Sequence, residues 1–91
     1  EIDGDIDIED LKADILQKLV HEEEMINIMV ALNRLEQKYQ DVIRLNIICE
    51  YNLIETSKIL GVNVNTVRTW SARGLVKLKA EFDSIDRGGQ K

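Results

Sequence analysis

The stretch NLIETSKILGVNVNTVRTWSARGLVKL, residues 52–78, constrains the fold of this chain more than any other part of the sequence. Asn52 is a good helix N-cap, and Glu55 follows it at the three-residue spacing of a capping box. Gly61 stands where the end of that helix needs a residue in the left-handed conformation. Asn63 can then cap a second helix. A short helix, a tight glycine turn and a longer helix together predict a helix-turn-helix.

The charge along the chain is strongly polarised. Residues 1–24 carry ten acidic residues against two lysines, and the whole chain has a formal net charge of -5. Residues 56–80 carry no acidic residue but five basic ones: Lys58, Arg68, Arg73, Lys77 and Lys79. The electrostatic footprint of a nucleic-acid-binding protein is this local distribution, not the overall charge. The second helix of the motif is therefore a candidate for contact with nucleic acid.

Length and composition exclude several classes of protein. Ninety-one residues suit one small domain, and no run approaches the roughly 20 apolar residues of a membrane span. Cys49 is the only cysteine, so it forms no disulfide framework, and we expect it to be a small core residue. Without a signal-peptide pattern, the chain is predicted to be cytoplasmic. Because it opens on Glu1 instead of methionine, we expect it to be a piece of a longer protein.

Signatures of enzymes are missing from the sequence. It contains no glycine-rich phosphate loop, no serine or cysteine placed beside a histidine, and no carboxylate pair framed by an apolar pocket. Asp3, Asp5 and Asp7 have the alternate spacing of a calcium loop, but the glycine and distal glutamate of an EF-hand are misplaced. A solvated linker is the better interpretation. We expect no catalytic activity, no cofactor and no metal.

Apolar residues recur at helical spacing through most of the chain. The pattern predicts helices over about 8–21, 23–35, 36–51 and 52–60, the first two separate or joined as one bent helix. The last helix has an inward stripe made of Val67, Leu75, Leu78 and Phe82. We therefore predict an all-α domain of four to five helices that ends in the helix-turn-helix. The predicted divisions are an acidic linker and leading helix (1–22), the helix-turn-helix domain (23–83) and a flexible tail (84–91).

The DNA-contacting residues can be assigned from how a helix-turn-helix docks. Its second helix enters the major groove N-terminus first, so the early outward side chains meet base edges. Asn65, Arg68 and Thr69 take these positions, with Thr66 beside them. Their chemistry suits base reading, because arginine can bind guanine bidentately and asparagine can bind adenine in the same way. Asn63 and Thr66 can instead be used as helix caps. Phosphate contacts, which position the protein without specifying sequence, are predicted for Lys58, Arg73 and Lys77, whereas packing is predicted for Trp70.

Several short motifs occur in one gapless order. They are Ala31-Leu32-Asn33-Arg34-Leu35, Asp41-Val42-Ile43-Arg44-Leu45, Ile59-Leu60-Gly61-Val62 and Thr66-Val67-Arg68-Thr69, followed by Arg73 and Lys77-Leu78. In this order the chain resembles the fourth conserved region of bacterial sigma factors, most closely the small extracytoplasmic-function class. Thr56-Ser57, Trp70 and Leu75 depart from the family pattern, and Leu75 replaces an arginine that would contact a phosphate. These departures concern DNA affinity more than the fold.

The resemblance implies a fold and a role. The fold would be the winged-helix-like DNA-binding superfamily without a wing. The role would be to bind the -35 element of double-stranded promoter DNA and to dock on the flap of the RNA polymerase β subunit. An anti-sigma factor commonly masks this region in the same class. Candidates for the polymerase groove are Ile28, Leu32, Ile47 and Ile48, with core packing as the alternative for each residue.

Two other functions fit parts of the sequence. A LuxR-type output domain has a similar Thr-Val-Lys helix, although the Arg73…Lys77-Leu78 ending fits the sigma pattern better. A helical protein-interaction module that binds no DNA would explain the acidic front and the absence of an arginine at Leu75. Binding to duplex DNA separates that module from the other two functions.

Overall fold

The computed structural model describes residues 8–88, and within them the fold is all-α. Five helices follow one another: α1 (Ile8–Lys18), α2 (Glu22–Asn33), α3 (Gln37–Ile43), α4 (Leu53–Leu60) and α5 (Val64–Gly88). A π-helical segment, Arg44–Ile48, continues α3. The predicted all-α fold with a C-terminal helix-turn-helix, made of α4 and α5, is confirmed. None of the described helices is both long and apolar enough to cross a membrane.

The helix-turn-helix is defined by local hydrogen bonds at the ends of α4. The Asn52 Oδ1 atom accepts from the Glu55 N–H at 2.8 Å, and the Glu55 Oε1 atom accepts from the Asn52 N–H at 3.0 Å. At the other end Gly61 has φ 72, and its N–H donates to the Ser57 carbonyl at 2.8 Å. The N–H of Val62 reaches the same carbonyl at 3.1 Å. Both the predicted capping box and the left-handed glycine are present.

Helix α5 is the element around which the core is built. Its side chains Val67, Leu75 and Leu78 are fully buried, and Phe82 is nearly so. Helices α2, α3 and α4 all pack against α5. The approach of α3 is close at Gly74, where an added Cβ atom would lie 3.0 Å from Ile43 Cδ1. The inward stripe predicted for the last helix is therefore the centre of the hydrophobic core.

Helix α1 belongs to the same core. Ile15 is fully buried, and the Lys18 Nζ atom lies 5.3 Å from the centre of the Phe82 ring. The first turn of α1 lines a cavity together with Arg68 and Ser71 of α5. Because its start lies beside the start of α5 and its end lies beside Phe82, α1 runs along α5 in the same direction. The structure separates α1 from α2, with His21 extended at φ -105, so they are not one bent helix.

The third helix ends earlier than its apolar pattern predicted. The α-helical turns stop at Ile43, and the wider π-helical turns follow up to Ile48. Asn46 is buried within this segment, where its side-chain amide donates to the Tyr51 carbonyl at 2.7 Å. Glu50 takes φ 63 as the chain turns towards α4. Cys49, directly before this turn, is exposed, and the prediction that it is a core residue was wrong.

The last helix is longer than its apolar period predicted. It continues past residue 83 to Gly88, and Ile85, three residues after Phe82, packs against the core. Residues 1–7, which include the alternating aspartates, and residues 89–91 lie outside the described part of the chain. The division of the chain at residues 22 and 83 stays a prediction.

Candidate nucleic-acid interface

The outward face of α5 carries a short polar stripe. Asn65, Thr69 and Arg73 follow one another at four-residue spacing, so their side chains lie on one face of the helix. Asn65 and Arg73 are exposed and Thr69 is half-buried. Val67, which lies between Asn65 and Thr69 in the sequence, is fully buried. The capped α4 and the turn at Gly61 therefore position the start of α5 so that its polar side chains face away from the core.

Arg68 lies on one flank of this stripe and is exposed. Its Nη1 atom donates to Asn65 Oδ1 at 2.7 Å, which joins two of the predicted base-reading side chains. Among the described residues no carboxylate pairs with Arg68. The guanidinium is thus held by a neutral amide, and its remaining N–H groups are available to an acceptor such as a base edge or a phosphate.

Asn63 acts as the cap that the sequence allowed for it. It stands directly before Val64, the first residue of α5, and its Oδ1 atom accepts from the Asn65 N–H at 2.7 Å. Thr66 is half-buried, and its hydroxyl has no hydrogen-bond partner within residues 8–88. Of the two residues for which capping was an alternative, Asn63 makes that bond and Thr66 does not.

The predicted phosphate-contacting residues remain at the surface. Lys58 on α4 is exposed, as are Arg73 and Lys77 on α5. Lys79 differs from them, because its Nζ atom pairs with Asp83 at 2.9 Å on the same helix. Lys79 was not among the predicted contacts, and it offers a natural control for the other basic residues of α5.

Trp70 lies on the opposite flank of α5 from Arg68. It is half-buried and packs against the hydrophobic core, as predicted. The Lys38 Nζ atom lies 5.4 Å from the centre of its indole ring and 5.2 Å from the Tyr39 ring. Trp70 thus helps to attach α5 to α3.

The residues predicted to contact polymerase divide into two groups. Ile28, Leu32 and Ile47 have at most 2% of their surface exposed and pack in the core, although Ile47 also lines the apolar groove described below. Ile48, the last residue of the π-helical segment, is 44% exposed. The sequence pattern could not separate core packing from a binding groove, and the structure buries three of the four side chains, which was the alternative given for each.

Ile48 lines a groove between α1, α2 and the π-helical segment that sequence analysis missed. The groove has a volume of about 530 Å³, and its other main side chains are Leu16, Val20, Met25, Met29 and Glu50. One available signal was the composition of α2, whose apolar residues exceed one core-facing stripe: Met25, Ile26, Met29 and Val30 are all exposed. Within residues 8–88 no group of three potential ligands is placed to hold a metal ion.

Comparison with known proteins gives one match. Residues 25–78 match the family model described as Sigma-70, region 4. This range contains most of α2, all of α3 and α4, and α5 up to residue 78, with all eight predicted DNA contacts, but it does not contain α1. No curated protein and no solved structure matches the chain.

Proposed function

We propose that this chain recognises the -35 element of promoters and directs RNA polymerase to initiation, because it belongs to the sigma-70 region 4 family of helix-turn-helix, DNA-binding domains. The observation that carries this proposal is the start of α5: an exposed polar stripe with Arg68 beside it, within a stretch that contains no acidic residue. We further propose that the sigma factor is of the extracytoplasmic-function type and acts in the bacterial cytoplasm.

Each side chain has a distinct part in the proposed mechanism. Asn65 and Arg68 read base edges in the major groove, and their mutual hydrogen bond at 2.7 Å fixes the arginine side chain before DNA arrives. Thr69 contacts bases beside them. Arg73, Lys77 and Lys58 bind phosphates and set the depth of α5 in the groove. Asn63 contributes by capping α5, so its effect on DNA is indirect.

Polymerase docking is proposed for the apolar groove. Ile48 lines this groove together with Met25 and Met29, the methionines of α2. Methionine side chains are flexible and suit a surface that must accept an apolar helix. The occupant that family membership implies is the flap of the polymerase β subunit, and an anti-sigma factor that covers the same groove would block it.

The test of DNA recognition is a comparison of two alanine variants. Duplexes are first selected from a random pool by the wild-type protein with core polymerase present. Arg68→Ala should then lose roughly 1–3 kcal/mol on the selected duplex and relax its sequence preference. Lys77→Ala should weaken all sequences alike and lower the slope of log affinity against log salt by about one.

Lys79→Ala is the matched control, because Lys79 is a basic residue of the same helix that already pairs with Asp83. It should leave both affinity and salt slope nearly unchanged. Equal losses for Arg68→Ala on selected and scrambled duplexes would show that Arg68 does not read bases. If the wild-type protein binds no duplex even with polymerase, the proposal fails and a helical protein-interaction module takes its place.

A further inference from the structure

The apolar groove proposed for polymerase docking has one wall that comes from α1 and the turn after it. Leu16, Leu19 and Val20 form this wall, opposite residues of α2 and of the π-helical segment. Leu16 is 38% exposed and Val20 is 75% exposed. All three residues lie outside the range 25–78 that matches the family. The groove of this chain therefore includes a wall that the family match does not cover.

The charge around the groove has one sign. Glu50 is the charged residue of its lining, and none of the lining residues is basic. Residues 22–24, all glutamates, form the first turn of α2 directly before Met25, which lines the groove. Lys18, next to Leu19 in the sequence, is paired with Asp14 at 3.1 Å. Within residues 8–88 none of the four glutamates forms an ion pair.

Glu50 is also held in an unfavourable backbone conformation. Among the described residues it is the one non-glycine residue with a positive φ, at 63. The left-handed region is unfavourable for a residue with a Cβ atom, and residues held there concentrate at functional sites. Neighbouring hydrogen bonds fix the turn: the Tyr51 N–H donates to the Leu45 carbonyl at 2.9 Å, and the Asn46 amide donates to the Tyr51 carbonyl at 2.7 Å. The fold therefore keeps a carboxylate at the groove in spite of backbone strain.

The composition of the groove identifies the kind of partner that fits it. Its walls are apolar and include the flexible side chains of Met25 and Met29, which suit the apolar stripe of an amphipathic helix. Its volume of about 530 Å³ takes several apolar side chains from one face of such a helix. A second copy of this chain fits poorly, because a symmetric contact through this groove would bring two sets of the same carboxylates together. A basic residue on the flank of a partner helix would instead be attracted to Glu50.

We propose that the groove binds an amphipathic helix of a partner protein, whose apolar stripe packs against α1, α2 and Ile48 and whose basic flank faces Glu50. This inference rests on the proposed docking of polymerase at the groove, and it adds the chemistry of the docking helix and the contribution of α1. Val20 is buried in the complex. Glu50 selects among apolar helices, because a helix with an acidic flank is repelled.

The probes are two synthetic peptides of about 20 residues with the same leucine stripe at helical spacing. One carries lysines on both flanks of the stripe, and the other carries glutamates. Binding to the full chain is followed by the fluorescence anisotropy of a label on the peptide. The lysine peptide should bind at least about tenfold more tightly at about 50 mM salt. The ratio should fall towards about 200 mM salt, because the interacting charges are exposed and are screened.

Two matched pairs of variants assign the effect to residues. Glu50→Gln should lower the preference for the lysine peptide by about threefold, whereas Glu36→Gln, on an exposed carboxylate outside the groove, should leave it unchanged. Val20→Ser should weaken binding of the lysine peptide by at least about fivefold, because it removes apolar surface that the complex buries. Ile54→Ser, on a 59% exposed residue outside the groove, should not. All four residues are exposed, so we expect the variants to fold, and circular dichroism checks this.

Several outcomes would overturn the inference. Equal binding of the two peptides, or an unchanged preference in Glu50→Gln, would remove the role of Glu50. An unchanged affinity in Val20→Ser would remove α1 from the docking surface. A wild-type protein that sediments as a dimer, with a monomeric Val20→Ser variant, would assign the groove to a second copy of the chain.

An isolated flap fragment separates this inference from the proposed docking of polymerase. Binding of the fragment that depends on Ile48 but on neither Glu50 nor Val20 would overturn the inference alone. Failure of the fragment to bind, with the lysine peptide bound as expected, would overturn flap docking at the groove and support the inference. Failure of the fragment and of both peptides would overturn the two together.

Discussion

Replacing Thr56 by valine should make this domain more stable. Thr56 is fully buried in α4, and its Oγ1 atom has no hydrogen-bond partner within the described residues. An unsatisfied buried hydroxyl costs about 1–3 kcal/mol, and valine replaces it by a methyl group of nearly the same shape. Both residues are β-branched and have similar helix propensities, so the backbone contributes little to the difference. We expect the free energy of unfolding to rise by at least about 1 kcal/mol.

The assay is thermal unfolding followed by circular dichroism. For a domain of this size, 1 kcal/mol corresponds to a midpoint shift of roughly 4–8 °C. Thr66→Val is the matched control, since the half-buried Thr66 side chain reaches solvent and the same change there should alter stability by less than about 0.5 kcal/mol. A midpoint for Thr56→Val at or below that of the wild type, with the control unchanged, would refute the reasoning, because the hydroxyl would then be satisfied.

Two further substitutions test the turn and the groove. Gly61→Ala should lower the free energy of unfolding by about 1–2 kcal/mol, measured by urea denaturation, because Gly61 has φ 72 while an added Cβ meets nothing within 4 Å. An unchanged stability would show that the backbone relaxes out of the left-handed region. Ile48→Asp should weaken binding to an isolated flap fragment by more than about tenfold, as a charge in an apolar interface is costly. Ile59→Asp, on a 53% exposed residue outside the groove, should have little effect. Equal losses in the two variants would move the docking surface elsewhere.

Whether a prediction was correct or wrong depended on how far apart in the sequence the interacting residues lie. The capping box depends on Asn52 and Glu55, three residues apart, and the turn depends on one glycine with a positive φ. Such contacts form within a few residues of each other, so the sequence contains all the information needed. The buried stripe of α5 was equally predictable, since a single helical period places Val67, Leu75 and Leu78 on one face.

Predictions about the middle of the chain were less accurate, because this part has more apolar side chains than the core can bury. Ile47 and Ile48 are neighbours of the same type, yet one is 2% exposed and the other 44%. Both lie in the π-helical segment, which the sequence did not indicate, and Cys49, which follows it directly, is exposed as well. Spacing along the sequence cannot tell a core isoleucine from one in a groove when the local helical period changes.

The sequence by itself determined the helix-turn-helix, the side chains at its outer edge and the polarity of charge along the chain, because each depends on neighbours or on composition. Only the tertiary structure decided which apolar residues of α2 and of the π-helical segment remain exposed, and that α1 lies along α5 with Lys12 and Arg68 around one cavity. Those two residues are far apart in the sequence, and their proximity results from packing around Ile15 and Phe82. Contacts of this kind are set by how whole helices fit together, which no local pattern of residues specifies.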